Sequence, residues 1–235
     1  MKIFILNKYK ETPIFDNEKY FISTNNLKLD KNKNWSPDFF GIVGQFIEIL
    51  NDAKVDDDTI GIITNDYKFS FLSNEMDKDY SQFELKNNID FVIPKFQKIN
   101  LSDDENVTIK DELKIYLMYK LNNNLNESDK NKLDNIIDSI IKNIENKLTS
   151  QERLYFNESN NLIINPYFIA RKEEFYNFIF WIKKLYDGYN TWDGWNRLKN
   201  WKKISKSHKK LGEILFLKLL AIYIVNKNIV EIEEN

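Results

Sequence analysis

The chain contains no cysteine and one histidine, His208. Disulfides, thiolate metal sites and multi-histidine centres are excluded, as are Cys-His and His-pair mechanisms. Any acid, base or cation ligand must come mainly from Asp, Glu, Tyr or Lys. One cluster of these types is marked by its neighbours. Asn65-Asp66-Tyr67-Lys68 follows, after Thr64, the apolar run Ile60-Gly61-Ile62-Ile63. A short continuous apolar run bounded by turn-formers describes a strand buried on both faces. Such strands belong to parallel sheets covered by helices, and ligands there sit just beyond the strands' carboxyl ends. Asn65, Asp66 and Lys68 stand at that end. The competing reading is a turn after a core strand, with Asp66 solvated.

A second rim of the same kind is Asn7-Lys8-Tyr9-Lys10, after the apolar run Lys2 to Leu6. Seven basic residues fall among the fourteen from Arg197 to Lys210 with no acid between them, including Lys202, Lys203, Lys209 and Lys210. Trp192, Trp195 and Trp201 precede or interrupt this stretch. It suits a diphosphate or an anionic membrane surface, and equally a solvated face. His208 reads as a surface residue of the same run. Glu213 lies in an apolar helical segment, where a buried carboxylate needs a partner. It either faces a site or pairs with Lys or Arg. Glu173 and Glu174 favour a helix N-terminus. The triplet Asp56-Asp57-Asp58 precedes the central strand, at the wrong end for a ligand, and reads as a solvated turn.

The elements that would position these residues follow from periodicity. Strands are expected at 2–6, 60–63, 89–93 and 161–170, the third stopped by Pro94 and the last interrupted by Pro166. Ile22 to Thr24 makes a brief further strand, and Ile229 to Ile232 an edge strand. Ser36-Pro37-Asp38 starts a helix whose face carries Phe39, Phe40, Val43, Phe46, Ile47 and Leu50. Helical spacing recurs over 111–121 and 127–148, the latter with Ser128 as its cap. A helix runs through Phe175, Phe178, Ile179, Ile182 and Leu185, and another over 211–225. Residues 97–110 and 187–195 read as loops. The expected architecture is α/β, with a mainly parallel central sheet flanked by helices.

With 235 residues, 42% of them apolar, the chain can bury a substantial core and is not a disordered composition. A net charge of −2 argues against a nucleic-acid binder. The N-terminal residues lack a signal-peptide pattern, and no apolar run reaches the ~20 residues of a membrane span. A cytoplasmic protein is expected, with peripheral contact at the inner face of the cell membrane.

The order of segments resembles a bacterial capsular and exopolysaccharide synthesis family of unknown-function domains, which is glycosyltransferase-like. The resemblance runs nearly the whole length. It is carried by KIFIL, by FIEILN followed by IGIITNDYKF, by IDFVIPK, by FIARKEEFYNFIFW and by LGEILFLKLLAIYIVNKNIVEIE. One motif departs: where that family has His-Tyr-Arg-Arg after the central strand, this chain has Thr64, Asn65, Asp66 and Tyr67. An acidic residue there is similar instead to the Asp-containing metal motif of GT-A-like nucleotide-sugar transferases.

The resemblance implies one glycosyltransferase-like domain over 1–235 that takes a nucleotide-sugar donor and a saccharide or lipid-linked acceptor. Asn7, Lys8, Tyr9, Asn65 and Lys68 would meet the donor. Asp66 would serve in catalysis and hold Mn²⁺ or Mg²⁺. Glu213, which resembles the family's Glu, would be the second catalytic carboxylate. Trp192 and Trp195 would stack on the acceptor. The alternatives are a non-catalytic carbohydrate-binding or assembly protein and, opposed by the charge, an RNA-binding face.

Overall fold

The computed structural model describes residues 1–6, 21–23, 49, 57–64, 85–86, 88–99, 107–121, 125–163, 167–202, 204 and 219–232. The apolar run at 60–63 lies where its composition requires, inside a sheet. Strand β3 (Thr59–Thr64) is flanked by β1 (Lys2–Leu6) and β7 (Phe168–Arg171). With β2 (Phe21–Ser23), β4 (Phe91–Pro94) and β8 (Ile229–Ile232) they form a six-stranded sheet ordered β2-β1-β3-β7-β4-β8. The β1–β2, β1–β3 and β4–β8 pairs are parallel. Strand β7 runs antiparallel to both its neighbours, so it alone is reversed.

Alternate residues of a strand face opposite sides of the sheet. Ile60 and Ile62 belong to the core that also holds Phe4, Phe91, Phe168 and Ala170, while Gly61 and Ile63 are buried on the other face. The expectation of a strand covered on both sides is met. Helix α4 (Lys172–Tyr186) follows β7 directly and turns Phe175, Phe178, Ile179, Ile182 and Leu185 inward. Phe168 meets Phe178 edge-on at 5.7 Å between ring centres, and Phe91 in the same way at 5.7 Å. Edge-to-face pairs of this kind contribute about 0.5–1.5 kcal/mol beyond their buried area.

A helical layer fills the sequence between β4 and β7. Helix α1 (Ile109–Leu121) opens with Thr108 and Asp111 in reciprocal hydrogen bonds, each side chain accepting from the other's backbone N–H. Helix α2 (Glu127–Glu145) buries Leu133, Ile136, Ile137, Ile140, Ile141 and Ile144. Its cap is Asn126, whose Oδ1 accepts from the Asp129 N–H at 2.9 Å, rather than Ser128. Lys114 of α1 bridges Asp134 and Asp138 of α2 at 3.0 and 2.8 Å.

The helix expected to reach residue 148 ends at Glu145. Thr149 and Glu152 form a capping box that starts the separate helix α3 (Ser150–Glu158). The Thr-x-x-Glu spacing is the sequence signal for that break. The run at 161–170 is also divided. Asn161–Leu162 (β6) pairs antiparallel with Gln97–Lys98 (β5) in a small second sheet, and only Phe168–Arg171 joins the main one. Strand β4 starts later than expected and includes Pro94, because Ile89-Asp90 turns toward β8. There the Asp90 carboxylate accepts from the Asn228 backbone N–H at 3.0 Å.

Residues 187–195 are more ordered than a loop. Gly188 takes a φ of 72°, a left-handed conformation that ends α4. A 3₁₀ turn (Tyr189–Thr191) then leads into helix α5 (Asp193–Lys199). Gly194 lets α5 lie on the backbone of α2. A Cβ at this position would stand 2.8 Å from the Ile136 carbonyl oxygen and 2.8 Å from Ile140 Cγ1. Ile49 is helical and buried, and residues 219–224 are helical. The rest of the helices expected from Ser36 and Leu211 lies outside the described residues.

Two stability outcomes follow. Gly194→Ala should cost about 1–3 kcal/mol, since helix backbone must shift to admit the methyl group. Thermal melts should fall by about 2–4 °C for each kcal/mol; an unchanged melt would contradict the close α2–α5 packing. The second concerns Glu145. Burial pushes its carboxyl pKa up, but hydrogen bonds from Asn157 and Lys110 and the charges of Lys110 and Arg153 bring it net below the ordinary value. A depressed carboxyl pKa gives stability above the unfolded value that is lost as pH falls through the folded one. Urea melts should therefore separate wild type from Glu145→Gln by up to about 1 kcal/mol at neutral pH. The gap should close as pH falls through the lowered folded value, once the carboxyl is protonated in both states.

Candidate functional site

In the order β2-β1-β3 the chain passes from β1 to a strand on one side and then to a strand on the other. Such a reversal is a topological switch point, where the connections diverge and leave a crevice beyond the carboxyl ends. Here it lies between β1 and β3. Their register pairs the last residues of both strands, Leu6 with Thr64. The segments carrying Asn7, Lys8 and Tyr9, and Asn65, Asp66 and Lys68, therefore leave from adjacent positions on one rim. Those residues lie outside the described ones, as do Lys203, His208, Lys209, Lys210 and Glu213. The described scaffold supplies the rim's rigidity. Gly61 accommodates the neighbouring strand side chains, since a Cβ there would meet Ile3 Cγ1 at 3.1 Å and Ile169 Cγ1 at 3.6 Å.

The tryptophans require a correction. Trp192 is 6% and Trp195 7% exposed, both within the hydrophobic core. Trp192 lies against Tyr186 and Trp195 against Tyr189, each with ring centres 6.3 Å apart. Neither presents an open face for a sugar ring. They anchor α5 and the turn before it in the helical layer. The aromatic spacing was real, but the loop that was to expose it is a helix. Lys202 is exposed, as expected of the basic stretch.

The opposite rim carries polar contacts invisible in the linear sequence. A cavity of about 560 Å³ lies beside Asp58, Thr59, Arg171 and Lys172, at the amino end of β3. The Arg171 guanidinium donates from Nε to the Ile89 carbonyl at 2.7 Å and from Nη2 to the Lys86 carbonyl at 2.8 Å. The Lys172 N–H donates to the Asp58 carbonyl at 2.8 Å. Despite its size, this cavity lies at the end where ligands of open α/β sheets do not sit, and the arginine beside it clasps a loop. Asp57 is not merely solvated: its Oδ1 pairs with the Met1 amino group at 2.8 Å. Asp58 is exposed, as expected.

Glu174 has a structural role beyond favouring its helix N-terminus. Its Oε2 pairs with Lys227 Nζ at 2.5 Å and accepts from the Tyr223 hydroxyl at 3.4 Å. The Lys227 ammonium also lies 5.3 Å from the Tyr223 ring centre. Burial first, and then the Glu174 charge, push the Tyr223 hydroxyl far above the usual tyrosine range. Tyr223 therefore stays protonated at neutral pH and donates to the carboxylate. Trp181 Nε1 donates to Glu152 at 2.8 Å, tying α4 to α3. Among the described residues no group of three or more His, Cys, Asp or Glu is arranged to hold a metal ion.

No family model and no curated protein matches the chain. The resemblance to the capsular-synthesis family thus rests on the order of segments alone. The fold is similar to that of a solved structure, the apo form of the bifunctional glycosyltransferase WbbM, with a TM-score of 0.60 at 13% identity. The likeness covers 99% of this chain and 44% of that one, so the chain spans less than half the length of that protein. At this identity the likeness is one of fold alone: a mixed α/β architecture around a mainly parallel sheet.

Proposed function

We propose that the protein is a glycosyltransferase that moves a sugar from a nucleotide-sugar donor to a saccharide or lipid-linked saccharide acceptor of a surface polysaccharide. The observation that carries this reading is the switch point between β1 and β3 in a glycosyltransferase fold. It brings the origins of the two polar segments, 7–10 and 65–68, together at the rim where such sheets bind ligands. Asn7, Lys8, Tyr9, Asn65 and Lys68 are the proposed donor contacts. Lys202, Lys203, Lys209 and Lys210 remain proposed contacts to phosphate or to a membrane surface. The protein is proposed to work in the cytoplasm; no helix among the described residues is long and apolar enough to cross a membrane.

The reaction would join an acceptor oxygen to the donor's anomeric carbon as the bond from that carbon to the diphosphate oxygen breaks. The acceptor hydroxyl loses its proton, and in an inverting transfer a carboxylate within hydrogen-bond reach takes it. Glu213 is the proposed base. Charge building on the leaving diphosphate needs fixed positive partners; Lys68 is one. A divalent cation, Mg²⁺ or Mn²⁺, would supply further neutralisation when bound. One or two carboxylates plus phosphate oxygens suffice for such an ion, and Asp66 is the proposed protein ligand.

A second reading has one observation in its favour. Asn65 and Asp66 stand where the resembled family has Tyr and Arg of its His-Tyr-Arg-Arg motif. Losing the arginines weakens diphosphate binding and suits a non-catalytic carbohydrate-binding or assembly protein.

A thermal-shift screen of nucleotide sugars, with and without Mn²⁺ or Mg²⁺, separates the two. A donor at a hundred times its Kd adds about 2.7 kcal/mol, or about 5–10 °C in a chain of this size. Asp66→Asn is nearly isosteric and should leave the free protein's melting temperature unchanged. It should abolish the cation-dependent part of the donor shift and lower turnover by about a hundredfold or more. Transfer at the wild-type rate by Asp66→Asn would reject the metal role. Stabilisation by oligosaccharides but by no nucleotide sugar would favour the binding protein.

A further inference from the structure

At the end of α5 and just beyond it, the described cations are exposed while the apolar residues between them are buried. Leu198, Trp201 and Ile204 recur at three-residue intervals and are all buried, at 0%, 9% and 0% exposure. Two successive tight turns fix this spacing: the Trp201 N–H donates to the Leu198 carbonyl and the Ile204 N–H to the Trp201 carbonyl, each at 3.1 Å. Lys199 and Lys202 alternate with the buried residues and are exposed. A third cation arrives from a distant part of the sequence. Lys132 of α2 is exposed, and its ammonium stands over the Trp201 ring at 4.6 Å from the centre. No described acid pairs with Lys132, Lys199 or Lys202, whereas nearby Arg197 is paired with Asp193 at 3.4 Å.

We infer that Lys132, Lys199 and Lys202 form a docking face for an anionic phospholipid bilayer. Three exposed cations that no described acid pairs, one seated on the indole that lies between the other two in sequence, are a local positive patch on a chain whose net charge is −2. A planar bilayer meets only the side that faces it, and beyond a Debye length of about 8–10 Å the protein's acids are screened. A nucleic acid long enough to reach past the patch would meet those acids. Because Leu198, Trp201 and Ile204 are buried in the core, these described residues of the stretch offer nothing apolar for insertion. The contact is therefore electrostatic, and each lysine contributes about a fivefold gain in binding. This inference stands apart from the transfer reaction, since vesicle binding requires no donor.

The test is co-sedimentation of the whole protein with vesicles of phosphatidylcholine alone and of phosphatidylcholine mixed with phosphatidylglycerol. Wild type should bind the anionic vesicles at low salt, be released as salt rises and ignore the neutral ones. The triple variant Lys132→Gln, Lys199→Gln, Lys202→Gln should bind them about a hundredfold more weakly. A control triple elsewhere on the surface, Lys86→Gln, Lys98→Gln, Lys147→Gln, removes the same charge and should bind close to wild type. Melting temperatures of both triples establish that they are folded. Equal losses in the two triples would mean a general charge effect and overturn the inference. So would binding to neutral vesicles, salt-resistant binding, or tighter binding to single-stranded RNA than to anionic vesicles at the same salt.

Discussion

A strand with apolar residues on both faces must be covered on both sides, and most of this molecule answers that constraint at β3. Ile60 and Ile62 point to one face, Ile63 to the other, and all three are fully buried. One cover is α4, whose phenylalanines interlock with Phe168 and, through it, with Phe91. Each fully buried aliphatic or aromatic side chain of this size is worth about 1.5–3 kcal/mol relative to exposure. A polar residue at 60, 62 or 63 would forfeit that and bury an unpaired group as well. The strand ends can then differ from each other, because the middle is held by packing alone.

They do differ, and the reversed strand β7 is the cause. It delivers Arg171 and the start of α4 to the amino end of β3, where Arg171 clasps the carbonyls of Lys86 and Ile89. Asp90 secures Asn228 nearby, and Glu174 secures Lys227 and Tyr223. These ion pairs and hydrogen bonds brace the amino rim beside its cavity. The carboxyl rim between β1 and β3 is where the chain departs in two polar segments and where the strand order reverses. The strand-order reversal at the carboxyl end supports the proposed donor site beyond Leu6 and Thr64 more firmly than any single residue does.

The helical layer shows how close packing redirects residues that chemistry alone would assign elsewhere. Trp192 and Trp195 have the right type for sugar stacking, yet both are buried, Trp192 against Tyr186 of α4 and Trp195 against Tyr189, while Gly194 between them meets α2. The close approach is possible because residue 194 has no side chain. Trp201 continues the same inward row, and that row turns the intervening lysines outward beside Lys132. The burial of α5 and its flanking turns thus removes two aromatic residues from the candidate site and leaves Lys199 and Lys202 exposed.

Much was legible in the linear order. The buried central strand, the α/β class, the edge strand at 229–232 and the apolar faces of α2 and α4 all follow from local periodicity. They do so because alternation, helical spacing and turn chemistry are properties of neighbouring residues. The break at Thr149 was also written there, as a capping box inside an otherwise helical pattern. Long-range pairing was not. That the segment 168–171 runs against the rest of the sheet, that Glu174 meets Lys227, that Asn228 meets Asp90 and that Lys132 covers Trp201 depend on which surfaces come together across 50 to 140 residues of chain. Residue types alone marked Trp192 and Trp195 as binding groups and Glu174 as a helix-end charge. Tertiary packing buried the first two and paired the third, because a side chain's role is set by its exposure and partners, and only the folded chain supplies those.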